Sequence, residues 1–333
     1  MAKLHRIQIG SQQFHARSGQ LLLDAALLNG VELPHDCRAG RCGSCLTKVR
    51  AGITLGGETR QAGMVHACQA RVFSELKLEV EALPPVTQVN ARIVQLVEVA
   101  PDIVEVTMKP AQTIEMLPGQ YCRFRYRGFA ARAFSPTAAL NSLRDDGLLR
   151  LNIKRVRDGR VTPQIGKAIM VGHAVTIEGP FGHAFLRKGG QGRLVLVGSG
   201  TGFAPVWAVA AAALRENPLR RIVLLAASRK LATLYMAPAL DLASRYANVK
   251  VAACVEELTQ KHGLLLAGDP IGHLPKIAND DIVYAAGSPK LVDAVGDAAQ
   301  ANRALFYADP FEPEIRPSSS GWLDNAKAWL RTG

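Results

Sequence analysis

Three patterns along the chain predict a multidomain fold of α/β and β units. Short alternating runs bracket a cysteine-rich loop in the first eighty residues or so. A series of short strands broken by Gly, Pro and Asp follows, and strand–helix alternation takes over near residue 193. The middle pattern predicts a small antiparallel barrel, and the last a parallel sheet with helices on both faces. With 333 residues the chain has room for two or three domains of about 100–200 residues each. The expected division is 1–82, 88–187 and 193–311, with a tail over 312–333.

Residues 4–9 and 13–16 alternate like a hairpin, 21–28 have helical spacing with Gly30 as the stop, and 46–49 and 76–80 complete the first unit. Residues 81–90 contain two prolines and little periodicity, which predicts a linker. Barrel strands are expected in ARIVQLVEV, DIVEVTM, QYCRFRY, LLRLNIKRV and AVTIEG, and KGGQG at 188–192 reads as the second linker. Strands at 194–197, 222–227, 249–254 and 282–286 then alternate with helices, the first of which is Ala-rich and runs to Leu214. In the tail, Trp322, Leu323, Ala326, Trp329 and Leu330 share one helical face, suited to capping the chain's own domain or to docking a partner.

The net charge of +12 raises nucleic acid as a partner. The basic residues are scattered, however, and no nucleic-acid signature accompanies them, so anionic cofactors and an acidic protein partner are expected instead. The longest apolar run, 203–214, is shorter than the ~18–20 residues of a membrane span. The amino terminus reads as a strand, not a signal peptide, so a cytoplasmic protein with no membrane association is expected. Cys122 and Cys254 lie in apolar runs and read as small buried hydrophobes.

The other four cysteines, Cys37, Cys42, Cys45 and Cys68, are spaced C-x4-C-x2-C-x22-C. Without export, disulfides are disfavoured and the cluster points to metal or redox chemistry. The spacing is that of a plant-type 2Fe–2S site; a four-cysteine zinc site, usually two C-x2-C pairs, is the competing reading. Gly40 and Gly43 allow the tight backbone that turns N–H groups towards sulfur, and His35 and His66 each precede a cysteine by two residues. The loop resembles the β-grasp ferredoxin module of reductase components of bacterial multicomponent oxygenases. The Cys45–Cys68 gap is shorter than that family's, which predicts a more exposed cluster.

Arg132-Ala133-Phe134-Ser135 resembles the R-x-[YF]-S motif of the ferredoxin–NADP reductase superfamily. An arginine pairs a flavin phosphate bidentately, and the resemblance puts the aromatic beside the isoalloxazine and Ser135 near flavin N5, the catalytic position. Pro118-Gly119-Gln120-Tyr121 precedes it, and Asn152, Ile153, Lys154 and Val156 resemble the next flavin-contacting strand. Gly159, Arg160, Val161 and Thr162 resemble the pyrophosphate segment, with N–H groups at a helix start, although Arg157-Asp158 replace the usual Pro-Gly. Gly179-Pro180-Phe181-Gly182 is similar to the turn out of the barrel, and Phe311, in Asp309-Pro310-Phe311, to the terminal aromatic near the flavin.

Gly198, Gly200, Thr201 and Gly202 lie in GSGTG between a strand and a helix, where backbone can approach a pyrophosphate. The motif is neither a Walker loop nor G-x-G-x-x-G; after a flavin barrel it resembles the nicotinamide module of the same superfamily. Ser228, Arg229 and Lys230 follow the next strand with no acid, so their cations fit a 2′-phosphate, leaving NADH and NADPH both open. Gly287, Ser288 and Pro289 match the family's Cys-Gly-Pro or Cys-Gly-Ser segment, but Ala286 replaces its cysteine. Slower or altered nicotinamide handling, not loss, is expected.

The resemblance, ferredoxin then flavin barrel then nucleotide domain, is to the benzoate/naphthalene dioxygenase reductase type. It implies a 2Fe–2S cluster, FAD, and NADH or NADPH, in a monomer that takes hydride from the nucleotide. Single electrons would then leave for a terminal oxygenase or an intermediary ferredoxin. A reductase serving a deoxysugar-type dehydratase, and an electron-transfer subunit without nicotinamide binding, are the alternatives.

Overall fold

The computed structural model describes residues 3–35, 38–40, 43–59, 63–261, 263 and 265–311. Cys37, Cys42 and the tail over 312–333, with its amphipathic segment, lie outside the described residues. In the first unit β1 (Leu4–Ile9) and β2 (Gln12–Arg17) form the expected hairpin, followed by α1 (Leu22–Leu28). Then come β3 (Leu46–Ala51), β4 (Thr54–Leu55), β5 (Met64–His66), β6 (Arg71–Val72) and β7 (Leu76–Glu79). The main sheet runs β2-β1-β7-β3-β5, with β1 and β7 parallel at its centre. α1 lays Leu22, Leu23, Ala25 and Ala26 over Ile7, Leu76 and Leu78, a β-grasp arrangement.

The second unit has β8 (Thr87–Ala100), β9 (Ile103–Pro110), β10 (Tyr121–Tyr126), β11 (Arg132–Phe134), β12 (Leu149–Lys154) and β13 (Ala174–Phe181). Its antiparallel order is β11-β10-β13-β8-β9-β12, and a bridge from Thr137 to Arg150 joins the two ends into a near-barrel. Alternation sends Cys122, Phe124, Tyr126, Leu151 and Ile153 inward. The 81–90 linker is shorter than expected, because Thr87 to Asn90 already pair with Gly179 to Thr176. Val89 is the only inward residue of those four, too little period to read beside two prolines.

The third unit has β14 (Leu194–Ser199), α2 (Phe203–Glu216), β15 (Ile222–Ser228), α3 (Ala237–Ser244) and β16 (Val249–Val255). It continues with β17 (Leu265–Ala267), β18 (Ile282–Gly287), α4 (Pro289–Ala301) and β19 (Leu305–Pro310). All six strands are parallel, in the order β17-β16-β15-β14-β18-β19. The small side chains of α2 let it bury almost every residue between the sheet and the barrel, where Trp207 Nε1 donates to Ala139 O at 3.0 Å. Barrel residues Ile103 and Leu140 share this core, so the second and third units are packed as one body. Among the described residues no helix is long and apolar enough to cross a membrane.

Candidate functional site

One strand touches all three units. Parallel pairing sets Asp309 of β19 opposite Ala286 and Pro310 opposite Gly287. Ser135, just past β11 of the barrel, donates its hydroxyl to Asp309 Oδ2 at 3.0 Å. Tyr307 lies on the same face as Asp309, about 6.6 Å back along the strand, and Gly43 of the cysteine loop rests on it. A Cβ on Gly43 would come within 2.9 Å of Tyr307 Cδ1 and would also strike the Phe306 carbonyl. With φ near +75°, Gly43 is one place where only glycine fits both the turn and the approach.

Arg187 fastens this meeting point. Its guanidinium carbon lies 4.1 Å from the Phe185 ring centre and 3.7 Å from that of Tyr307, and Nη2 is 3.1 Å from Glu81 Oε2. Tyr307 stacks in turn on Tyr284, whose hydroxyl donates to Phe185 O at 2.9 Å. His183 sits beside Arg187; burial first, then the charges of Arg187 and His35, push its imidazole down to about 4.

Cys45 Sγ and Cys68 Sγ are 3.3 Å apart, both nearly inaccessible at 3% and 4% exposure. That is too long for a disulfide and near the roughly 3.7 Å of two sulfurs about 2.3 Å from one tetrahedral metal. This half of the set therefore fits a cluster, with His66 Nδ1 at 3.9 Å from Cys45 Sγ. Cys45 and Cys68 are covered, whereas Cys37 and Cys42, on which the expected exposure of the cluster also depends, lie outside the described residues. The loop is covered from outside its own unit, by β19 against Gly43, and Leu46 packs into the core shared by the barrel and nucleotide units. Cys122 and Cys254 are fully buried, and burial pushes their thiols up to about 12 and about 11, so they stay protonated packing residues.

In the flavin segment, Arg132 Nη1 donates to Ala131 O at 2.8 Å, and the Phe134 ring lies 6.0 Å from Phe124, tilted against the barrel core. Ala133 is exposed and Ser135 buried. On β12, Asn152 points outward towards the glycine turn, 5% exposed, beside the Tyr235 hydroxyl, and its amide is otherwise without a hydrogen-bond partner. Thr137 Oγ1 is likewise buried and unpartnered. These buried polar atoms between barrel and nucleotide domain are the kind a polar ring system satisfies, so the face fits a flavin. Ile153 and Val161 turn into the barrel core, leaving only their backbone to meet a ligand, whereas Lys154, Val156 and Arg160 are exposed. Thr162 Oγ1 accepts from Val156 N at 3.0 Å, which folds Gly159 against the segment start. The expected helix there is a single 3-10 turn, Thr162–Gln164. Phe311 donates its N–H to Gly287 O at 2.7 Å, which brings the last aromatic beside the glycine of β18.

At the carboxyl ends of β14 and β18, Gly202 and Gly287 touch backbone to backbone, and Ser199 Oγ accepts from Ser288 N at 2.9 Å. Gly198 packs on Phe203, while Gly200, with φ near +53°, faces open space. Tyr235, fully buried, donates to Gly200 O at 3.2 Å and fixes the turn. Thr201 is half-buried and Pro289 starts α4. This cradle fits a pyrophosphate, and it lies where the strand order reverses about β14, the usual ligand position in such sheets. Ser228, Arg229 and Lys230 end β15 on the far side of the turn from Ala286. Ala286 borders a cavity of about 10 Å³ lined also by Pro205, Val206, Val209, Tyr284 and Asp309. The sequence reading missed Asp309, Tyr235 and Glu105, the cross-strand neighbour of Asn152. Burial raises the Glu105 carboxyl, and Arg150 lowers it by less. Only Asp309, inside the quoted Asp-Pro-Phe segment, carried a sequence signal.

Three domain families match these units: the 2Fe-2S iron-sulfur cluster binding domain over residues 7–73, the oxidoreductase FAD-binding domain over 91–185, and the oxidoreductase NAD-binding domain over 196–297. The chain is 32% identical over 297 residues to the ferredoxin–NAD(P)+ reductase component of the naphthalene 1,2-dioxygenase/salicylate 5-hydroxylase systems of Ralstonia sp, covering 84% of this chain and 89% of that one. It is 28% identical over 319 residues to the reductase component of the Pseudomonas putida naphthalene 1,2-dioxygenase system, covering 89% and 94%. Among solved structures, an Amycolatopsis cytochrome P450 reductase superposes with a TM-score of 0.66 at 25% identity, covering 93% of this chain and 99% of that one.

Proposed function

The chain belongs to the ferredoxin–NAD(P)+ reductase components of bacterial oxygenase systems, and from that premise we propose that it reduces a terminal oxygenase, or a ferredoxin serving one, in the hydroxylation of an aromatic compound. It is an NAD(P)H-dependent oxidoreductase with 2Fe–2S, FAD and NAD(P)H domains. When bound, these groups supply a hydride donor, a two-electron acceptor that releases electrons singly, and a one-electron carrier.

The observation that carries this reading is β19. Within three residues it meets the cysteine loop at Tyr307, the flavin-motif serine at Asp309 and the nucleotide cradle through its pairing with β18. Cys37, Cys42, Cys45 and Cys68 would hold the cluster, and the burial of Cys45 and Cys68 excludes water from that half. Arg132, Ser135, Asn152 and the Gly159–Thr162 stretch would hold FAD, with Phe311 over its edge. Gly198, Gly200, Thr201, Gly202 and Gly287 would seat the nucleotide. Asp309 orients the Ser135 hydroxyl and holds its proton at Oδ2, so the serine keeps one direction as charge moves past it. The protein acts as a cytoplasmic monomer and does not touch the organic substrate.

Anaerobic titration of the loaded protein with NADH and with NADPH tests this. Bleaching of both flavin and cluster absorbance, followed by reoxidation with an added oxygenase or ferredoxin, is the expected result. No bleaching with either nucleotide would support instead the alternative, an electron-transfer subunit that has lost nicotinamide binding.

A further inference from the structure

The turn after β15 holds its cations in an arrangement that bears on which nucleotide it accepts. Ser228 Oγ donates to Lys230 O at 3.0 Å and lies 2.8 Å from Thr233 Oγ1, so the turn is tied to itself. Arg229 Nε is 3.2 Å from Glu257 Oε1, and Lys230 Nζ is 3.9 Å from Glu257 Oε2. One carboxylate thus serves both cations. Its position does not depend on long side chains meeting by chance. Glu256 N donates to Ser228 O and Glu257 N to Arg229 O, each at 3.0 Å, which zips the end of β16 to the turn. The reactive end of a bound nucleotide would lie by Ala286 and Ser135, which leaves its adenosine half to the β15 side of the glycine turn.

We infer that Glu257 makes this site select NADH over NADPH. The inference rests on the reductase reading above. A 2′-phosphate carries a charge of about −2 and needs both cations, yet here it must share them with a carboxylate that repels it. A 2′-hydroxyl needs no cation and can donate to that carboxylate. The three side chains are largely exposed, so the charge on Glu257 alone is worth a few-fold in affinity.

Calorimetric titration of the holoprotein with 5′-AMP and with 2′,5′-ADP, which lack nicotinamide, reads this without turnover. In Glu257→Gln the affinity for 2′,5′-ADP rises about threefold to fivefold relative to that for 5′-AMP. In the wild type kcat/KM is higher for NADH than for NADPH, and the variant narrows that gap. An unchanged affinity ratio in the variant, or a wild type that prefers NADPH, overturns the inference alone. No heat with either ligand overturns it together with the nucleotide-binding reading.

Discussion

At the residue scale the proposed chemistry rests on Ser135 and Asp309, which lie 174 positions apart in sequence and 3.0 Å apart in space. The hydroxyl donates to the carboxylate, so removing either group breaks the bond that sets the direction of the serine. Ser135→Ala and Asp309→Asn are each expected to keep their flavin and to slow its reduction by nucleotide about tenfold to a hundredfold. Stopped-flow absorbance at matched flavin content measures this, and a change below twofold in both variants would remove the pair from the reaction. Ser135 was legible in the sequence because R-x-[YF]-S is a local pattern. Asp309 became a partner only when β19 reached the barrel.

Among elements, β18 and the glycine turn after β14 are matched backbone to backbone. Gly287 has φ near +118°, and a side chain there would run into Ser199 and its hydroxyl. Gly287→Ala should therefore push the two strand ends apart, costing about 1–3 kcal/mol and weakening nucleotide binding more than flavin binding. Thermal unfolding together with 5′-AMP titration checks this; unchanged affinity would show that the turn tolerates the displacement. Most strands were readable from alternation or short apolar runs. Three-residue β17 is too short for a period to show, and β19 mixes aromatics with Asp and Pro, so neither could be drawn from composition.

At the scale of the whole molecule, Arg187 links the units, lying between Phe185 and Tyr307 and paired to Glu81 at the exit of the first unit. Losing a partly desolvated cation between two rings costs about 1–2 kcal/mol and loosens the cysteine loop on β19. Arg187→Ala is expected to keep nucleotide-driven dye reduction within about twofold while slowing reduction of a one-electron protein acceptor severalfold. Equal losses in both assays would make Arg187 a general packing residue. The same junction sets a pH dependence. His183 is held at about 4 when folded and titrates near 6.5 when unfolded, so the unfolded chain alone takes up the proton between those values. Stability conferred by the neutral imidazole is complete above about pH 6.5 and lost progressively as pH falls towards 4. Melting temperatures across that window should fall less steeply in His183→Gln than in the wild type, and parallel curves would exclude His183 as the cause.

The sequence by itself determined the three units, the four-cysteine spacing, the flavin motif and the glycine turn, because each depends on neighbouring residues or on a period along one element. Tertiary structure decided that Asp309 orients Ser135, that β19 covers the cysteine loop, and that Glu257 occupies the cations after β15. These contacts join residues 28 to 264 positions apart, and no local pattern encodes such pairings. They exist because parallel strand order places the ends of β15, β16, β18 and β19 on one rim, within side-chain reach of one another.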